Sequence, residues 1–186
     1  MASDVEICNR ALQKLGSARI TSLSDDSPEA NAVNACFEIL RDAEYRKHPW
    51  NFAIKRAQLA ADTTDPLFGP AAQYPLPSDF IRLLPSNDSD LDWRIENGAI
   101  VTDWGAPLEI RYIYKVTDPN KMDILFRESL STMIALELCE KLTQSNTKKE
   151  GLRVDYKQII SDAKKTNAIE NIAQDPPDDS WVTERA

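Results

Sequence analysis

Two pairs of amphipathic segments enclose a block, residues 50–115, in which helical periodicity disappears. Apolar residues recur every three or four positions in four segments: residues 3–16, 28–47, 123–143 and 148–170. Helices of this kind cannot bury their apolar stripes alone, so they have to pack on one another. The sequence therefore predicts a mainly α protein, a four-helix bundle built from residues 1–49 and 116–170, with an insertion between helices 2 and 3.

Capping signals place the helix starts. Ser3 and Glu6 have the spacing of a capping box, in which each side chain accepts a hydrogen bond from the other residue's backbone amide. Ser27 is a favourable N-cap for the second helix. Thr147 and Glu150 repeat the capping-box spacing and predict the start of the fourth helix.

The middle block contains short alternating runs separated by turn residues, a pattern typical of an antiparallel sheet. Asn97 and Gly98 separate two short alternating runs, which predicts a hairpin with a type I′ turn. Residues 108–114 alternate between apolar and polar side chains and predict a half-buried strand, and residues 71–76 suggest another. Residues 50–115 are thus expected to form one small β lobe.

The last segment, residues 171–186, contains a Pro-Pro break and carries four acids against one arginine. Two interpretations stay open: a solvated tail, or an extended docking arm that becomes ordered on a partner. Trp is a frequent interface anchor, so Trp181 is the natural centre of such an arm.

Composition limits the possible chemistry. The chain has one histidine, His48, and its cysteines Cys8, Cys36 and Cys139 lie far apart in the sequence. A zinc site needs clustered ligands and a thiol nucleophile needs a base, so these cysteines are interpreted as buried apolar residues. With only 5 glycines and no phosphate-loop motif, no cofactor or metal is expected.

The net charge of −8 argues against a nucleic-acid binder, because such proteins neutralise phosphates with basic surfaces. No run of about 18 apolar residues predicts a membrane span. The acidic N-terminus lacks the apolar core of a signal peptide, so the chain is expected to be made in the cytoplasm.

Carboxylates are grouped in three polar stretches: Asp25 with Asp26, Asp88 with Asp90 and Asp92, and Asp178 with Asp179. A hydrolase needs two carboxyl groups held about 5–10 Å apart across a cleft, which adjacent loop acids seldom provide. The run from Asp88 has Trp93 where a calcium-binding EF-hand loop has glycine, so it is interpreted as a solvated loop.

Two aromatic groups need an interpretation. Residues 48–52 could bind a ligand, but packing of the bundle against the β lobe explains them better. Tyr74, Tyr112 and Tyr114 are expected either to pack on one sheet face or to form subunit contacts, where Tyr is enriched.

Several motifs follow one another in a distinctive order: NRAL at 9–12, ITSL at 20–23, PWNFA at 49–53, YPLPSDFIR at 74–82 and IRYIY at 110–114. In this order and spacing the chain resembles the tail tubular protein A family, the head-to-tail adaptors of short-tailed bacteriophages. The resemblance extends over residues 5–165, although the polar loop at 84–92 departs from the strand character usual in that family.

The resemblance implies a structural virion protein at the head-tail junction and no catalytic residues. Twelve copies would form a ring between the portal protein and the tail nozzle protein, and DNA would pass through the channel without specific binding. Because some relatives have been suggested to degrade polysaccharide, a tail-associated polysaccharide or cell-wall hydrolase is the alternative. A helical interaction module unrelated to phages is a third possibility.

Each subunit of such a ring must present two different complementary faces to its neighbours. The residues expected at the subunit interface are Arg41, Arg46, Lys148 and Arg153. The residues expected to contact the portal are Trp181, Val182, Asp178 and Asp179. An acidic channel lining would repel DNA phosphates and let the genome slide, which predicts net negative charge on the residues that face the channel.

Overall fold

The structure, a computed structural model, describes residues 2–64, 66–85 and 92–170. Four α-helices lie within these ranges: α1 (Asp4–Leu15), α2 (Pro28–Lys47), α3 (Ile124–Thr143) and α4 (Asn146–Ile169). Six strands lie between α2 and α3: β1 (Ile54–Leu59), β2 (Ala72–Pro75), β3 (Phe80–Leu84), β4 (Trp93–Glu96), β5 (Ala99–Thr102) and β6 (Leu108–Tyr114).

The predicted fold class, a mainly α four-helix bundle with one small β lobe, is wrong. The strands form two three-stranded antiparallel sheets, and 51% of the described residues are helical while 19% lie in strands. We call the sheet with strand order β1-β6-β3 the inner sheet and the sheet with order β2-β5-β4 the outer sheet. The protein is therefore an α+β structure.

The inner sheet belongs to the same core as the helices, which is why the bundle description fails. The third helix contacts each of the other three helices, and α2 also touches β3 and β6. Ile54, Leu84 and Ile113 of the inner sheet join the helical side chains in one apolar cluster. The helices thus bury their stripes partly on a sheet and not only on one another.

The outer sheet covers the opposite face of the inner sheet. Tyr74 and Ile100 of the outer sheet pack against Leu108, Ile110 and Tyr112, which alternate along β6. Since successive strand residues point to opposite faces, β6 supplies the helical core with Ile113 and this second core with its neighbours. The layer order is therefore helices, inner sheet, outer sheet.

The predicted ends of the first two helices are confirmed. At α1, Ser3 and Glu6 form both hydrogen bonds of the capping box, and Gly16 ends the helix with φ +77°. The Ser27 side chain accepts a hydrogen bond from the Ala30 amide at the start of α2. The capping box predicted for the fourth helix is wrong, because Ser145 is the N-cap there and accepts from the Lys148 amide.

Within the middle block the hairpin is confirmed, since Asn97 and Gly98 both have positive φ (46° and 76°), as a type I′ turn requires. The strand at 108–114 is confirmed as β6, and the suggested strand at 71–76 is confirmed as β2. The sequence did not predict β1 and β3. Both faces of the inner sheet are partly covered, so these strands lack the clean polar alternation of a half-buried strand.

Candidate assembly surfaces

The motif at 49–53 forms the joint between the helices and the inner sheet. Trp50 is only 1% exposed and donates a hydrogen bond from Nε1 to the Glu44 carbonyl oxygen over 3.1 Å. Its ring meets Phe126 edge-on with centroids 5.2 Å apart, and Phe52 contacts the same Phe126 at 5.1 Å. The interpretation of this motif as internal packing is confirmed.

A buried carboxylate ties α2 to α4 next to this joint. Glu44 is fully buried, and its Oε1 accepts hydrogen bonds from the Lys47 ammonium and from the Tyr156 hydroxyl, the latter over 2.8 Å. The other carboxylate oxygen, Oε2, has no hydrogen-bond partner within the described residues. This contact fixes the geometry of the joint and offers no opening to a ligand.

The three tyrosines pack on one face of the inner sheet, as one of the two interpretations expected, and this face is covered by the outer sheet. Tyr74 and Tyr112 pack in the cluster between the two sheets, and Tyr114 contacts both that cluster and the helical core. The Tyr74 hydroxyl donates to the Trp104 carbonyl oxygen over 2.8 Å, and the Tyr112 hydroxyl donates to Asp79 over 2.9 Å. Their contacts within the chain are structural.

Three of the four residues expected at a subunit interface make specific contacts inside the subunit. The Arg41 side chain is 3% exposed and lies 5.4 Å from the centroid of the Phe37 ring. Lys148 donates to the carbonyl oxygen of Leu15, at the end of α1, over 2.6 Å. Arg46 donates to the Ile81 carbonyl oxygen over 2.6 Å.

Arg153 is the remaining one of the four, and it is exposed with a weak ion pair to Glu150 at 3.6 Å. The residues expected to contact the portal, Asp178, Asp179, Trp181 and Val182, lie outside the described residues.

Of the three acidic stretches, the structure describes Asp25, Asp26 and Asp92. Asp25 accepts hydrogen bonds from the Ser22 and Thr21 backbone amides, which lower the pKa of its carboxyl group and close the loop before α2. Asp88 and Asp90 lie outside the described residues. In the ranges that the structure covers, no three His, Cys, Asp or Glu side chains are grouped closely enough to hold a metal ion.

The cysteines fit the apolar interpretation. Cys8 and Cys139 are fully buried in the helical core, and Cys36 is half-buried against it. Burial raises the pKa of the Cys8 thiol to about 12, so this sulfur is protonated at neutral pH. A protonated buried thiol is a poor nucleophile.

An exposed apolar surface that was not predicted from the sequence lies at one end of the outer sheet. Leu67 and Phe68, in the loop before β2, are 99% and 88% exposed, and Trp104 is 47% exposed. The two loops lie side by side because the Ala71 amide donates to Asp103 over 2.8 Å and Ala72 pairs with Thr102. We call Leu67, Phe68 and Trp104 the apolar loop surface. The sequence does indicate this surface: Leu67 and Phe68 stand between Pro66 and Gly69-Pro70, where neither a helix nor a strand is expected to bury them.

The helical layer exposes a second set of large apolar side chains. They are Ile39 of α2, Ile124 of α3, and Val154 and Ile169 of α4. Single exposed apolar side chains are common on monomeric proteins, so these four residues offer candidate contact positions and do not by themselves identify an interface.

No family model matches the chain, and no curated protein matches it. Across the described part of the chain, the helices are too short or too polar to cross a bilayer.

Proposed function

We propose that this chain is a structural head-to-tail adaptor of a short-tailed bacteriophage, one subunit of a ring between the portal protein and the tail nozzle protein. Its work would be done by surfaces and not by a catalytic group. In this proposal DNA passes through the ring without sequence-specific contacts, and the subunit resides at the head-tail junction of the virion.

The observation that carries the proposal is the ordered series of motifs from residue 9 to residue 114. Two of these motifs provide the parts that join the layers: the motif at 49–53 fills the helical core, and the motif at 110–114 forms most of the central strand of the inner sheet. Buried positions that join two layers tolerate few different side chains. Proteins that share this architecture are therefore expected to resemble one another at such positions.

The exposed apolar side chains add support. A ring of identical subunits needs two different surfaces on each copy, one to meet each neighbour. The apolar loop surface lies on the outer sheet, and Ile39 and Val154 lie on the helical layer. Two such surfaces on different layers could serve as the complementary faces of a closed ring or as contacts to the components above and below it.

Electron microscopy of the purified full chain, alone and mixed with the portal protein encoded by the same genome, tests the proposal. We expect the chain to add a ring of density to one end of the portal, with twelve copies per portal ring by native mass measurement. A chain that never binds the portal, at micromolar concentrations of both, would contradict the proposal.

A further inference from the structure

Arginines are concentrated on the face of the inner sheet that looks toward the helices. Arg56 of β1 pairs directly with Arg111 of β6, and Arg111 pairs with Leu84 of β3. Arg82 of β3 pairs with Ile113, two positions along the same strand. Residues paired directly across antiparallel strands point to the same face, so the three arginines share the face of Leu84 and Ile113.

A fourth arginine joins them from the end of α2. The Arg46 guanidinium donates to the Ile81 carbonyl oxygen over 2.6 Å, and the Arg82 guanidinium donates to the Arg46 carbonyl oxygen over 2.8 Å. These two hydrogen bonds hold Arg46 and Arg82 beside each other. We call the set Arg46, Arg56, Arg82 and Arg111 the arginine face.

One acidic residue of the sheet shares this face: Glu109, two positions from Arg111 on β6, accepts a hydrogen bond from Gln58. Four arginines against this carboxylate leave the face positively charged within the described ranges. None of the four arginines forms a salt bridge there. Arg111 Nε is buried and has no hydrogen-bond partner among the residues the structure covers. Like charges placed directly opposite in a sheet destabilise it, so an anion on this face would stabilise the fold.

The described chain ends next to the arginine face. Asn167, near the end of α4, forms hydrogen bonds with His48, Pro49 and Asn51, the residues that directly follow α2. The Arg82 guanidinium donates to the Arg46 carbonyl oxygen, two residues before His48, so Arg82 also lies near this last turn of α4. Whatever follows Glu170 therefore starts beside Arg46 and Arg82.

We infer that the acidic C-terminal segment, residues 171–186, docks on the arginine face of its own chain. The segment carries Asp175, Asp178, Asp179 and Glu184 against one arginine. Asp175 to Asp179 follow Glu170 by five to nine residues, a reach of roughly 16–30 Å for an extended chain. Guanidinium groups bind carboxylates through two parallel hydrogen bonds, which suits an acidic peptide.

An acidic peptide fits this face better than nucleic acid does. The chain as a whole has a net charge of −8 and would repel a phosphate backbone, whereas a peptide of the same chain is present at high effective concentration. The inference holds whether or not the chain is a phage adaptor. In an adaptor, a docked segment would leave the arginine face only when a partner competes for it.

Hydrogen exchange of the full chain, followed by mass spectrometry at neutral pH and low salt, tests the inference. We expect amides within 171–186 to exchange at least about tenfold more slowly than in an unstructured peptide of the same sequence. The protection should disappear in the double variant Arg56→Gln/Arg111→Gln and near 1 M salt, where charges are screened within about 3 Å. The matched control, Arg153→Gln/Lys157→Gln, makes the same charge change on the exposed surface of α4 and should keep the protection.

Four results would overturn the inference. They are exchange of 171–186 at the unstructured rate in the wild type, protection that survives both the double variant and high salt, protection that rises with protein concentration, and loss of protection in 86–91 in place of 171–186. Concentration dependence would assign the segment to a second copy, and the last result would assign Asp88 and Asp90 to the face. If exchange in α3 shows that the double variant is unfolded, the salt series on the wild type decides.

Discussion

The helical core and the outer sheet differ in how many buried apolar side chains stabilise them. The helices and the inner sheet share one interior around Tyr45, Trp50 and Phe126, whereas the outer sheet contributes only Tyr74 and Ile100 to the fully buried part of a second, smaller one. The outer sheet also carries the apolar loop surface, in which Leu67 and Phe68 are almost fully exposed and Trp104 is about half exposed. The core that stabilises the chain therefore lies in the helices and the inner sheet, and in the adaptor that we propose the outer sheet would supply one contact surface.

Regions with few buried apolar contacts open at lower free energy than the global core. We therefore expect the outer sheet to exchange its amides faster than α3, and substitutions in the two regions to have different consequences.

Phe126→Ala should destabilise the chain most. Phe126 is fully buried, stacks on Tyr45 with centroids 5.0 Å apart and contacts Trp50 and Phe52. Removing a buried Phe side chain costs about 3–5 kcal/mol of unfolding free energy. The matched control is Phe68→Ala, in which the same side chain is 88% exposed and its loss should cost under about 0.5 kcal/mol. Denaturant unfolding of both variants measures this, and equal losses would refute the assignment of stability to the helical core.

Gly98→Ala should weaken the outer sheet by about 1–2 kcal/mol, because Gly98 has φ +76° and left-handed backbone is unfavourable for alanine. Gly151→Ala is the control of opposite sign. Gly151 lies inside α4 and a Cβ there meets nothing within 4 Å, so the change should stabilise by about 0.5–1 kcal/mol. Hydrogen exchange should locate the loss from Gly98→Ala in β4 and β5. Faster exchange of α3 in the same variant, by the same factor as β4 and β5, would speak against a separately opening outer sheet.

Asp79 provides a smaller, pH-dependent effect in the inner sheet. It accepts hydrogen bonds from Lys55 over 2.8 Å and from Tyr112 over 2.9 Å. Burial alone would raise the pKa of Asp79, but the hydrogen bonds from Lys55 and Tyr112 and the Lys55 charge outweigh it and hold the pKa below its ordinary 3.8. A lowered pKa contributes stability above that ordinary value and loses it as the pH falls through the folded-state pKa.

Asp79→Asn should therefore flatten the acid limb of the stability curve below about pH 4, by under about 1 kcal/mol because the pair is partly exposed. Thermal melting from pH 2 to pH 7 measures the slope. Lys55→Gln removes one hydrogen-bond donor and should flatten the curve in part. An acid limb identical to that of the wild type in both variants would show that this contact adds no pH dependence.

The contrast between regions also decides what the sequence could predict. The first two helices can be predicted from local sequence, such as the Ser3 capping box and the Ser27 N-cap, because a capping side chain bonds backbone amides only a few residues away. The hairpin at Asn97-Gly98 is equally local. The inner sheet depends on contacts between distant parts of the chain, since β1 pairs with a strand about fifty residues away. Because both of its faces are partly covered, β1 also lacks the apolar-polar alternation by which a strand is recognised in a sequence. The fold class was wrong for that reason.

The candidate surfaces, too, could be predicted only where local sequence determines them. Charge alone suggested Arg41 and Lys148 as interface residues, yet both are used within the subunit, Arg41 on the Phe37 ring and Lys148 on the last carbonyl of α1. Whether a charged side chain is free depends on tertiary contacts that sequence does not reveal. The apolar pair Leu67-Phe68 carried a readable signal, since apolar side chains in a Pro- and Gly-bounded loop have no local place to be buried.

The most direct test of the account uses the double variant Leu67→Ser/Phe68→Ser, mixed with the portal protein and examined by electron microscopy and native mass measurement. The account predicts an unfolding free energy within about 0.5 kcal/mol of the wild type, because both side chains are almost fully exposed, together with a loss of ring density on the portal. A variant that still forms a complete ring on the portal would contradict the proposed role of the apolar loop surface in association.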